Sequence, residues 1–328
     1  MGFGEYGIIG CGPWGLRLLS VLRRCFDERL VGHVADLRPE RLAAAARIDP
    51  TVCLHASHES LLQSPGLTGI LVATPTPTHG DLVEAGLERG LDVYVEKVLS
   101  MDLAQAGRIE GRALREGARL QLGLPWQHGP VATALRGLLD RGTLGALRSL
   151  QATRVGASPL RRSEGVIWDL LPHDVAMVLQ AMGRVPQAVR VREAVQEAAG
   201  AELVAVTVEL GLDDRVVATL RASWVEDRTV RSWVLEGEAG TARVDEIERR
   251  RDLRLDGETL AADTDEPLEE ALRAFLLPAA DPGRAAPGCW GVDLSRVLAT
   301  AAEAANCPGR WLPILPLPRE VGGEIAAA

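Results

Sequence analysis

Lysine is almost absent from this chain. Lysine and arginine together number 36, and among them Lys97 is the single lysine. In a chain so rich in arginine and alanine, arginine has replaced lysine wherever either cation serves. A buried ammonium can lose its proton whereas a guanidinium cannot. The survival of one lysine therefore predicts a chemical role at this position.

Cysteine is scarce, and long apolar runs are missing. The cysteines are odd in number, widely scattered and without a CxxC pair. This pattern argues against a disulfide or zinc framework and indicates reduced thiols in a cytoplasmic protein. The set is Cys11, Cys25, Cys53, Cys289 and Cys307. No uninterrupted apolar run reaches about 18 residues, so no membrane span is expected. The first residues lead directly into an apolar strand, so no signal peptide is expected.

Length and charge restrict the class of protein further. A chain of 328 residues exceeds the size at which one hydrophobic core stops growing, so two domains are expected. Its composition, 47% hydrophobic and 25% charged, is that of a soluble globular protein. A net charge of −9 argues against a nucleic-acid surface. The densest basic run, ERRRDLR, is flanked by acids and is interpreted as a solvated face.

The hydrophobic pattern changes about a third of the way along the chain. Up to that point, apolar runs such as YGIIG and GILVATP alternate with segments of helical spacing, which predicts a parallel sheet with right-handed crossovers. We expect this α/β domain in residues 1–122. Later runs such as ELVAVTVELGL alternate along their length, as antiparallel strands covered on one face do. Residues 123–328 are therefore predicted to form an α+β domain with a large, mostly antiparallel open sheet.

A glycine-rich turn follows the first predicted strand. Gly10, Gly12 and Gly15 form a G-x-G-x-x-G run that leads into a helix. Glycine permits the tight turn and the close approach of a pyrophosphate, and the helix N-terminus offers free N–H groups to the phosphates. Asp36 ends the second strand, where an acid accepts hydrogen bonds from the adenosine ribose. These features predict a Rossmann domain that binds NAD, with NADP as an alternative because Arg38 could neutralise a 2′-phosphate.

Further cofactor contacts are expected at the carboxyl ends of later strands, because ligands bind at that edge of an open α/β sheet. In the loop VATPTPTHGDL, prolines stiffen the backbone, and Thr78 or His79 can cap the next helix. Glu96 can pair with Lys97 or reach the cofactor. The predicted cofactor-binding residues are Gly10, Gly12, Pro13, Trp14, Gly15, Asp36, Arg38, Thr74, Pro75, His79, Glu96 and Lys97.

A second constellation lies in GVIWDLLPHDVAMVL. Asp169 can cap a helix that contains His173, and the two residues are then i and i+4 on one face. A carboxylate beside an imidazole raises its proton affinity and fixes its tautomer. Histidine is the usual proton acceptor near neutral pH. His173 is therefore a candidate base, and a capped helix with an incidental surface histidine is the alternative.

Together the two halves resemble the glucose–fructose oxidoreductase and inositol dehydrogenase family, often called Gfo/Idh/MocA. The resemblance covers nearly the whole chain through GIIGCGPWG, ATPTPTHGDLVEAGLERGLDVYVEK, GTLGALRSL and VIWDLLPHD. Within the family, the closest likeness is to members that act on nucleotide-linked amino sugars or related hexoses. The resemblance implies hydride exchange between nicotinamide and a sugar carbon, with Lys97 and His173 at the carbinol or ketone. It also implies a homodimer or homotetramer formed through the C-terminal sheet.

The sequence departs from the family pattern at three positions. The family usually has Glu-Lys-Pro, whereas Val98 follows Lys97, and losing that proline removes a restricted and sometimes cis peptide bond. His128 stands where related sequences often carry tyrosine, and Gly165 where many carry asparagine. These last two changes would reshape a substrate pocket more than the hydride chemistry.

The predicted mechanism assigns one role to each group. His173 takes the hydroxyl proton, Lys97 stabilises the negative charge that develops on the oxygen, and Asp169 orients His173. No metal is expected. The alternatives are a reductase of a keto or imine intermediate, a glycoside-cleaving enzyme that regenerates NAD, and a non-catalytic dinucleotide sensor. The predicted substrate-binding residues are Trp126, His128, Arg161, Trp168 and Asp174.

Overall fold

The chain forms two compact units in a computed structural model. The first comprises Met1–Pro125, Leu268–Val292 and Pro318–Ala328, and the second comprises Trp126–Pro267 and Asp293–Leu317. The second unit thus begins at Trp126 and not at residue 123, and Leu268–Val292 and Pro318–Ala328 are grouped with the first unit. The residues that the structure describes are 5–26, 30–157, 164–198, 200–213, 215–247, 250–263, 267–277, 290–316, 320–321 and 324–325.

Helices occur in both units. None of those in the described ranges is long and apolar enough to cross a lipid bilayer. They are α1 (Pro13–Cys25), α2 (Pro39–Ile48), α3 (His58–Leu62), α4 (His79–Leu87), α5 (Leu103–Glu116), α6 (Pro130–Asp140), α7 (Gly165–Asp169), α8 (Leu171–Met182), α9 (Pro267–Leu276) and α10 (Gly291–Ala304).

The first unit is built on a parallel sheet of six strands in the order β3-β2-β1-β4-β5-β6. The predicted α/β fold is confirmed, and the short strand β3 is an addition that was not expected from the sequence. The strands are β1 (Glu5–Ile9), β2 (Val31–Ala35), β3 (Cys53–His55), β4 (Leu67–Val72), β5 (Asp92–Glu96) and β6 (Leu120–Gly123).

The core of the first unit joins residues that are far apart in the sequence. Helix α1 buries Leu18 and Leu22, which the helical period places on one face, against the sheet. Phe275 of α9 contacts two strands, with its ring centroid 5.8 Å from that of Tyr6 and 5.8 Å from that of Tyr94, both edge to face. This packing fixes β1 and β5, which lead into the glycine turn and Lys97.

The second unit contains a mixed sheet of nine strands in the order β14-β13-β12-β11-β7-β10-β9-β8-β15. Strands β10 and β7 pair in parallel, and the other neighbouring pairs are antiparallel, which confirms the mostly antiparallel sheet. The strands are β7 (Leu147–Val155), β8 (Ala188–Gln196), β9 (Leu203–Gly211), β10 (Val217–Ser223), β11 (Val230–Gly237), β12 (Thr241–Ile247), β13 (Arg250–Leu255), β14 (Glu258–Ala262) and β15 (Trp311–Pro313). A separate ladder pairs β16 (Glu320–Val321) with β17 (Glu324–Ile325).

Helices α6, α7 and α8 cover one face of this sheet. On β13 the period of two places Arg251 and Leu253 on the covered face, and both are fully buried. Arg251 Nε donates to Asp263 Oδ2 at 2.8 Å. The interpretation of ERRRDLR as a solvated face was therefore wrong for Arg251, which is a core residue with its own carboxylate partner.

Candidate active site

The turn between β1 and α1 accepts only glycine at two positions. Gly10 has a φ of +98°, and a Cβ there would lie 2.7 Å from the carbonyl oxygen of Ala73. A Cβ at Gly15 would collide with the carbonyl oxygen of Gly10. At Gly12, in contrast, the nearest described atom to a Cβ is Arg41 Nη1 at 3.8 Å. The open backbone at Gly12, beside the N-terminus of α1, fits the approach of a dinucleotide pyrophosphate.

Asp36 is held rigidly at the end of β2. Its Oδ2 accepts the backbone N–H of Cys11 at 2.8 Å, and its Oδ1 accepts the backbone N–H of Arg38 at 2.9 Å. Arg41, one turn into α2, places Nη1 3.6 Å from Asp36 Oδ2. Arg38 itself is exposed at the N-cap position of α2. The cation that pairs with Asp36 is therefore Arg41, which was not predicted from the sequence.

His79 connects two backbone segments of the loop region. Its ring is buried, with Nδ1 2.7 Å from the carbonyl oxygen of Val98 and Nε2 2.9 Å from that of Thr74. Thr78 occupies the N-cap position of α4, but its hydroxyl lies 2.7 Å from the carbonyl oxygen of Pro75 and makes no capping bond. The predicted cap by Thr78 or His79 was wrong, because both side chains bind other carbonyl oxygens.

Glu96 and Lys97 follow one another at the end of β5. Lys97 is 8% exposed, and the Lys97–Val98 peptide bond is cis although proline is absent. The hydroxyl of Tyr94 donates to Glu96 Oε1 at 3.5 Å. Burial raises the pKa of Glu96 to about 7, against the opposing effects of the Trp14 indole and the Lys97 ammonium. A carboxyl group that titrates near neutral pH therefore adjoins the single lysine.

In the second unit, Asp169 and His173 lie on two consecutive helices. Asp169 is the last residue of α7, and Leu170, not Asp169, occupies the N-cap position of α8. The predicted cap by Asp169 was therefore wrong. His173 lies in the first turn of α8. Both polar side chains are half-buried, whereas Leu171 and Pro172 between them are buried.

Among the predicted substrate-binding residues, His128 has a polar atom without a partner. Its Nε2 is buried and makes no hydrogen bond among the described residues. Burial lowers the pKa of His128 to about 4, so its ring is neutral near pH 7. Trp126 is half-buried, with the guanidinium of Arg251 4.5 Å from its ring centroid, and Trp168 is buried in α7. Arg161 lies outside the described residues.

Asp174 is not exposed to a ligand. It is 1% exposed, and its carboxylate accepts two hydrogen bonds from Arg154, Nε to Oδ2 at 3.0 Å and Nη2 to Oδ1 at 3.1 Å. This burial and pairing contradict the prediction that Asp174 binds the substrate. The signal for Arg154 lay in the strand period, which places it on the same face of β7 as the buried Leu150 and Ala152.

No group of three or more side chains in the described ranges is arranged to hold a metal ion. The cysteines Cys11, Cys25, Cys53 and Cys307 are free thiols.

Two models of one protein family match the chain. Residues 5–124 match the family described as oxidoreductase family, NAD-binding Rossmann fold, named GFO_IDH_MocA. Residues 132–243 match the GFO/IDH/MocA C-terminal domain.

Curated relatives include inositol dehydrogenases. An inositol 2-dehydrogenase of Streptomyces avermitilis is 30% identical over 187 residues, which are 56% of this chain and 54% of that protein. The myo-inositol dehydrogenase Hyg17 of Streptomyces leeuwenhoekii is 31% identical over 182 residues, 54% of this chain and 55% of that protein. The chain thus spans about half the length of the curated relatives that it matches.

A solved structure gives longer coverage. The UDP-N-acetylglucosamine 3-dehydrogenase of Acidithiobacillus ferrooxidans has a TM-score of 0.80 and 25% identity, over 94% of this chain and 98% of that one. The myo-inositol dehydrogenase of Lactobacillus casei, solved with NAD(H) and myo-inositol, shares the fold with a TM-score of 0.80 at 18% identity, over 96% of this chain and 98% of that one. The chain belongs to the Gfo/Idh/MocA oxidoreductase family, and its first unit is an NAD-binding Rossmann domain.

Proposed function

We propose that the protein is an NAD-dependent dehydrogenase or ketoreductase that acts on a carbinol or ketone carbon of a sugar-type substrate. The observation that carries the proposal is Lys97: the single lysine of the chain, nearly buried, directly after β5 of an NAD-binding domain. Bound NAD would supply the hydride acceptor. The reaction then requires groups of the protein that hold the cofactor, stabilise the reacting oxygen and transfer one proton.

The cofactor would be held by the glycine turn and the ends of the strands. The N-terminus of α1 beside Gly12 would donate N–H groups to the phosphates of the cofactor. The fixed carboxylate of Asp36 would accept hydrogen bonds from the ribose hydroxyls. Thr74 and Pro75, at the end of β4, lie at the edge where ligands bind in such sheets. Asp36 favours NAD, and Arg41 keeps NADP as a weaker alternative.

Lys97 and His173 would act on the reacting oxygen. The ammonium of Lys97 donates a hydrogen bond to that oxygen and stabilises the negative charge that develops on it. In the oxidative direction, His173 accepts the hydroxyl proton, and in the reductive direction it returns that proton. Asp169 orients the imidazole and favours its protonated form. The half-buried state of both Asp169 and His173 among buried neighbours supports this assignment.

For the substrate, we propose a nucleotide-linked amino sugar. The likeness to a UDP-N-acetylglucosamine 3-dehydrogenase at 25% identity supports this class. The inositol dehydrogenase relatives support the broader class of ring polyols. His128 offers a buried Nε2 that a substrate hydroxyl could satisfy, and Trp126 and Trp168 offer aromatic surface.

We also propose a cytoplasmic homodimer or homotetramer. The free thiols fit a reducing compartment. The face of the large sheet opposite α8 presents polar side chains around an open cavity of 550 Å³, including Gln151, Thr207 and Thr219. A second copy would cover this face.

The test is a panel of nucleotide sugars, free sugars and cyclitols, each mixed with NAD or NADP while the absorbance of reduced nicotinamide is followed. We expect a signal with a nucleotide sugar and NAD, which falls by orders of magnitude in K97R and H173N. A substrate that both variants turn over at the wild-type rate would overturn the mechanism. If the absorbance of reduced nicotinamide does not change with any substrate, in the oxidative direction or in the reductive direction with keto substrates, the dehydrogenase assignment would be overturned.

A further inference from the structure

Asp174, the residue after the proposed base His173, forms a buried ion pair with Arg154 of β7. We propose that Arg154 is a positioning residue for His173, which anchors the first turn of α8 and sets the electric field around the imidazole. This inference rests on the proposed function only for its catalytic consequence. Its structural and electrostatic content concerns the second unit alone.

The anchor joins a central strand to the start of a helix. Arg154 belongs to β7, which pairs with β10 on one side and with β11 on the other. Its two hydrogen bonds, at 3.0 and 3.1 Å, hold both oxygens of Asp174, the residue after His173. The two side chains are 6% and 1% exposed. A planar guanidinium that binds a carboxylate through two parallel bonds fixes orientation as well as distance, which an ammonium does not.

The charge of Arg154 also interacts with the carboxylates of Glu246 and Asp169. Its Nη1 lies 3.8 Å from Glu246 Oε2, and Glu246 in turn accepts from Arg231 Nη1 at 2.6 Å. Burial alone would lower the pKa of Arg154, but Asp174, Glu246 and Asp169 together raise it. One buried cation thus acts both on the neighbour of His173 and on Asp169, its proposed orienting carboxylate.

Several other charged groups in the elements around α8 form ion pairs of their own, whereas Asp169 of α7 is the proposed partner of His173. In each ion pair a carboxylate oxygen lies close to the guanidinium, so the field of one largely cancels that of the other. The pairs are Arg136–Asp140 at 2.8 Å on α6, Arg251–Asp263 at 2.8 Å beside β13, and, at 2.5 Å, Arg221 of β10 with Glu226, which follows that strand. His128, whose ring is neutral near pH 7, adds no charge. Together with Asp169, Arg154 and Asp174 are therefore the groups whose replacement is expected to change the field at the start of α8.

This arrangement predicts opposite effects of the two partners on His173. Removal of a buried cation favours the protonated imidazole, so R154M raises the pKa of His173. Removal of the adjacent carboxylate charge disfavours it, so D174N lowers that pKa. R154K keeps the charge and leaves the pKa near the wild-type value. A purely structural role would not produce shifts of opposite sign.

The experiment is a histidine-selective NMR titration of the full chain. The six histidines give few signals, and H173N identifies the one from His173. We expect shifts of about half a pH unit or more, upward in R154M and downward in D174N. R148M is the matched control, because Arg148 lies on the same strand and is 66% exposed. Equal titration of His173 in all variants, or shifts in the same direction, would overturn the inference.

A double variant covers the case in which R154M fails to fold. Replacing both members of a buried ion pair by apolar residues is often neutral or stabilising, so R154M/D174L is expected to fold. We expect it to retain the wild-type KM for NAD while kcat falls tenfold or more, because the anchor of α8 is lost. An unchanged kcat in a folded double variant would contradict the anchoring role.

Activity of H173N separates this inference from the proposed function. Wild-type turnover in H173N would refute the base assignment, whereas the NMR shifts would still decide the effect of Arg154. Loss of turnover in H173N, with wild-type titration in the Arg154 and Asp174 variants, would refute the present inference alone.

Discussion

Nδ1 of His79 lies 2.7 Å from the carbonyl oxygen of Val98, the residue that follows Lys97. The opposite ring nitrogen lies 2.9 Å from the carbonyl oxygen of Thr74, in the loop after β4. A carbonyl oxygen only accepts hydrogen bonds, so a neutral ring makes one of these bonds and a protonated ring makes both. The buried imidazole thus lies within hydrogen-bond distance of both the cofactor loop and the backbone at the lysine, and the protonated ring joins them by two hydrogen bonds.

Replacing His79 by alanine is therefore expected both to weaken the binding of NAD and to slow turnover. Loss of a buried hydrogen bond costs about 1–3 kcal/mol where the partner stays unsatisfied, and the loop loses its link to Val98. We expect a higher KM for NAD and a kcat at least tenfold lower in steady-state assays. His58, which is partly exposed on α3, gives the control H58A with wild-type constants. Wild-type kinetics in H79A would remove His79 from the site.

The single lysine makes a selective chemical test available. An amine-acylating reagent can modify only the Lys97 side chain and the chain's terminal amine. Because acylation removes the charge that would stabilise the oxygen, we expect turnover to fall by about 100-fold or more as Lys97 is modified. Mass spectrometry of peptides follows the extent of modification.

Two controls accompany this experiment. Saturating NAD should slow the modification of Lys97 and protect activity. In K97R, mass spectrometry measures the acylation of the terminal amine alone. Full modification of Lys97 with retained turnover would show that the ammonium is dispensable.

Arg41 is expected to influence the choice between NAD and NADP. Its guanidinium lies 3.6 Å from Asp36 and partly neutralises that carboxylate. In R41A the carboxylate would repel a 2′-phosphate more strongly, so the KM for NADP should rise about tenfold while that for NAD changes little. The exposed Arg47, in the last turn of the same helix, gives R47A as the matched control. An equal effect on both cofactors would contradict a specific role.

Glu96 should make stability depend on pH. Burial raises its pKa from 4.5 to about 7, so the folded protein binds this proton more tightly than the unfolded chain. The resulting stabilisation is present below about pH 4.5 and is lost as pH rises to about 7. Above that range the wild-type protein must keep an ionised carboxylate buried, whereas the glutamine of E96Q is uncharged. The free energy of unfolding of E96Q should therefore exceed that of wild type by up to about 3 kcal/mol at pH 8.

Denaturant unfolding at several pH values checks this prediction. The difference between E96Q and wild type should be small at pH 5 and grow toward pH 8. The exposed Glu88 gives E88Q as the control, with no pH-dependent difference. A constant difference across this range would mean that Glu96 does not titrate there.

Local patterns in the sequence were sufficient to predict much of the first unit. Hydrophobic period and the spacing of Gly10, Gly12 and Gly15 predicted the alternation of strands and helices and the cofactor turn. Lys97 stood out by composition alone. These signals are local, because each depends on residues within one element or one turn.

Pairings between distant residues were not accessible in the same way. Whether Asp174 faces a ligand or a core arginine depends on which strand lies beneath α8, and the partner proved to be Arg154. Arg251 was likewise misplaced because its partner, Asp263, belongs to the segment after the next strand. Strand β3 was missed because three residues are too few to show a period.

Because α9 packs into the core of the first unit, this unit cannot complete its folding early in synthesis. Phe275 packs between Tyr6 and Tyr94, so the core beneath β1 and β5 is incomplete until residue 275 has been synthesised. The intervening residues of the second unit emerge from the ribosome before that point. The cofactor-binding unit, although it begins the chain, can therefore reach its final packing only after most of the second unit has been translated. A fragment that stops at Pro125 would expose the apolar surface that Phe275 covers.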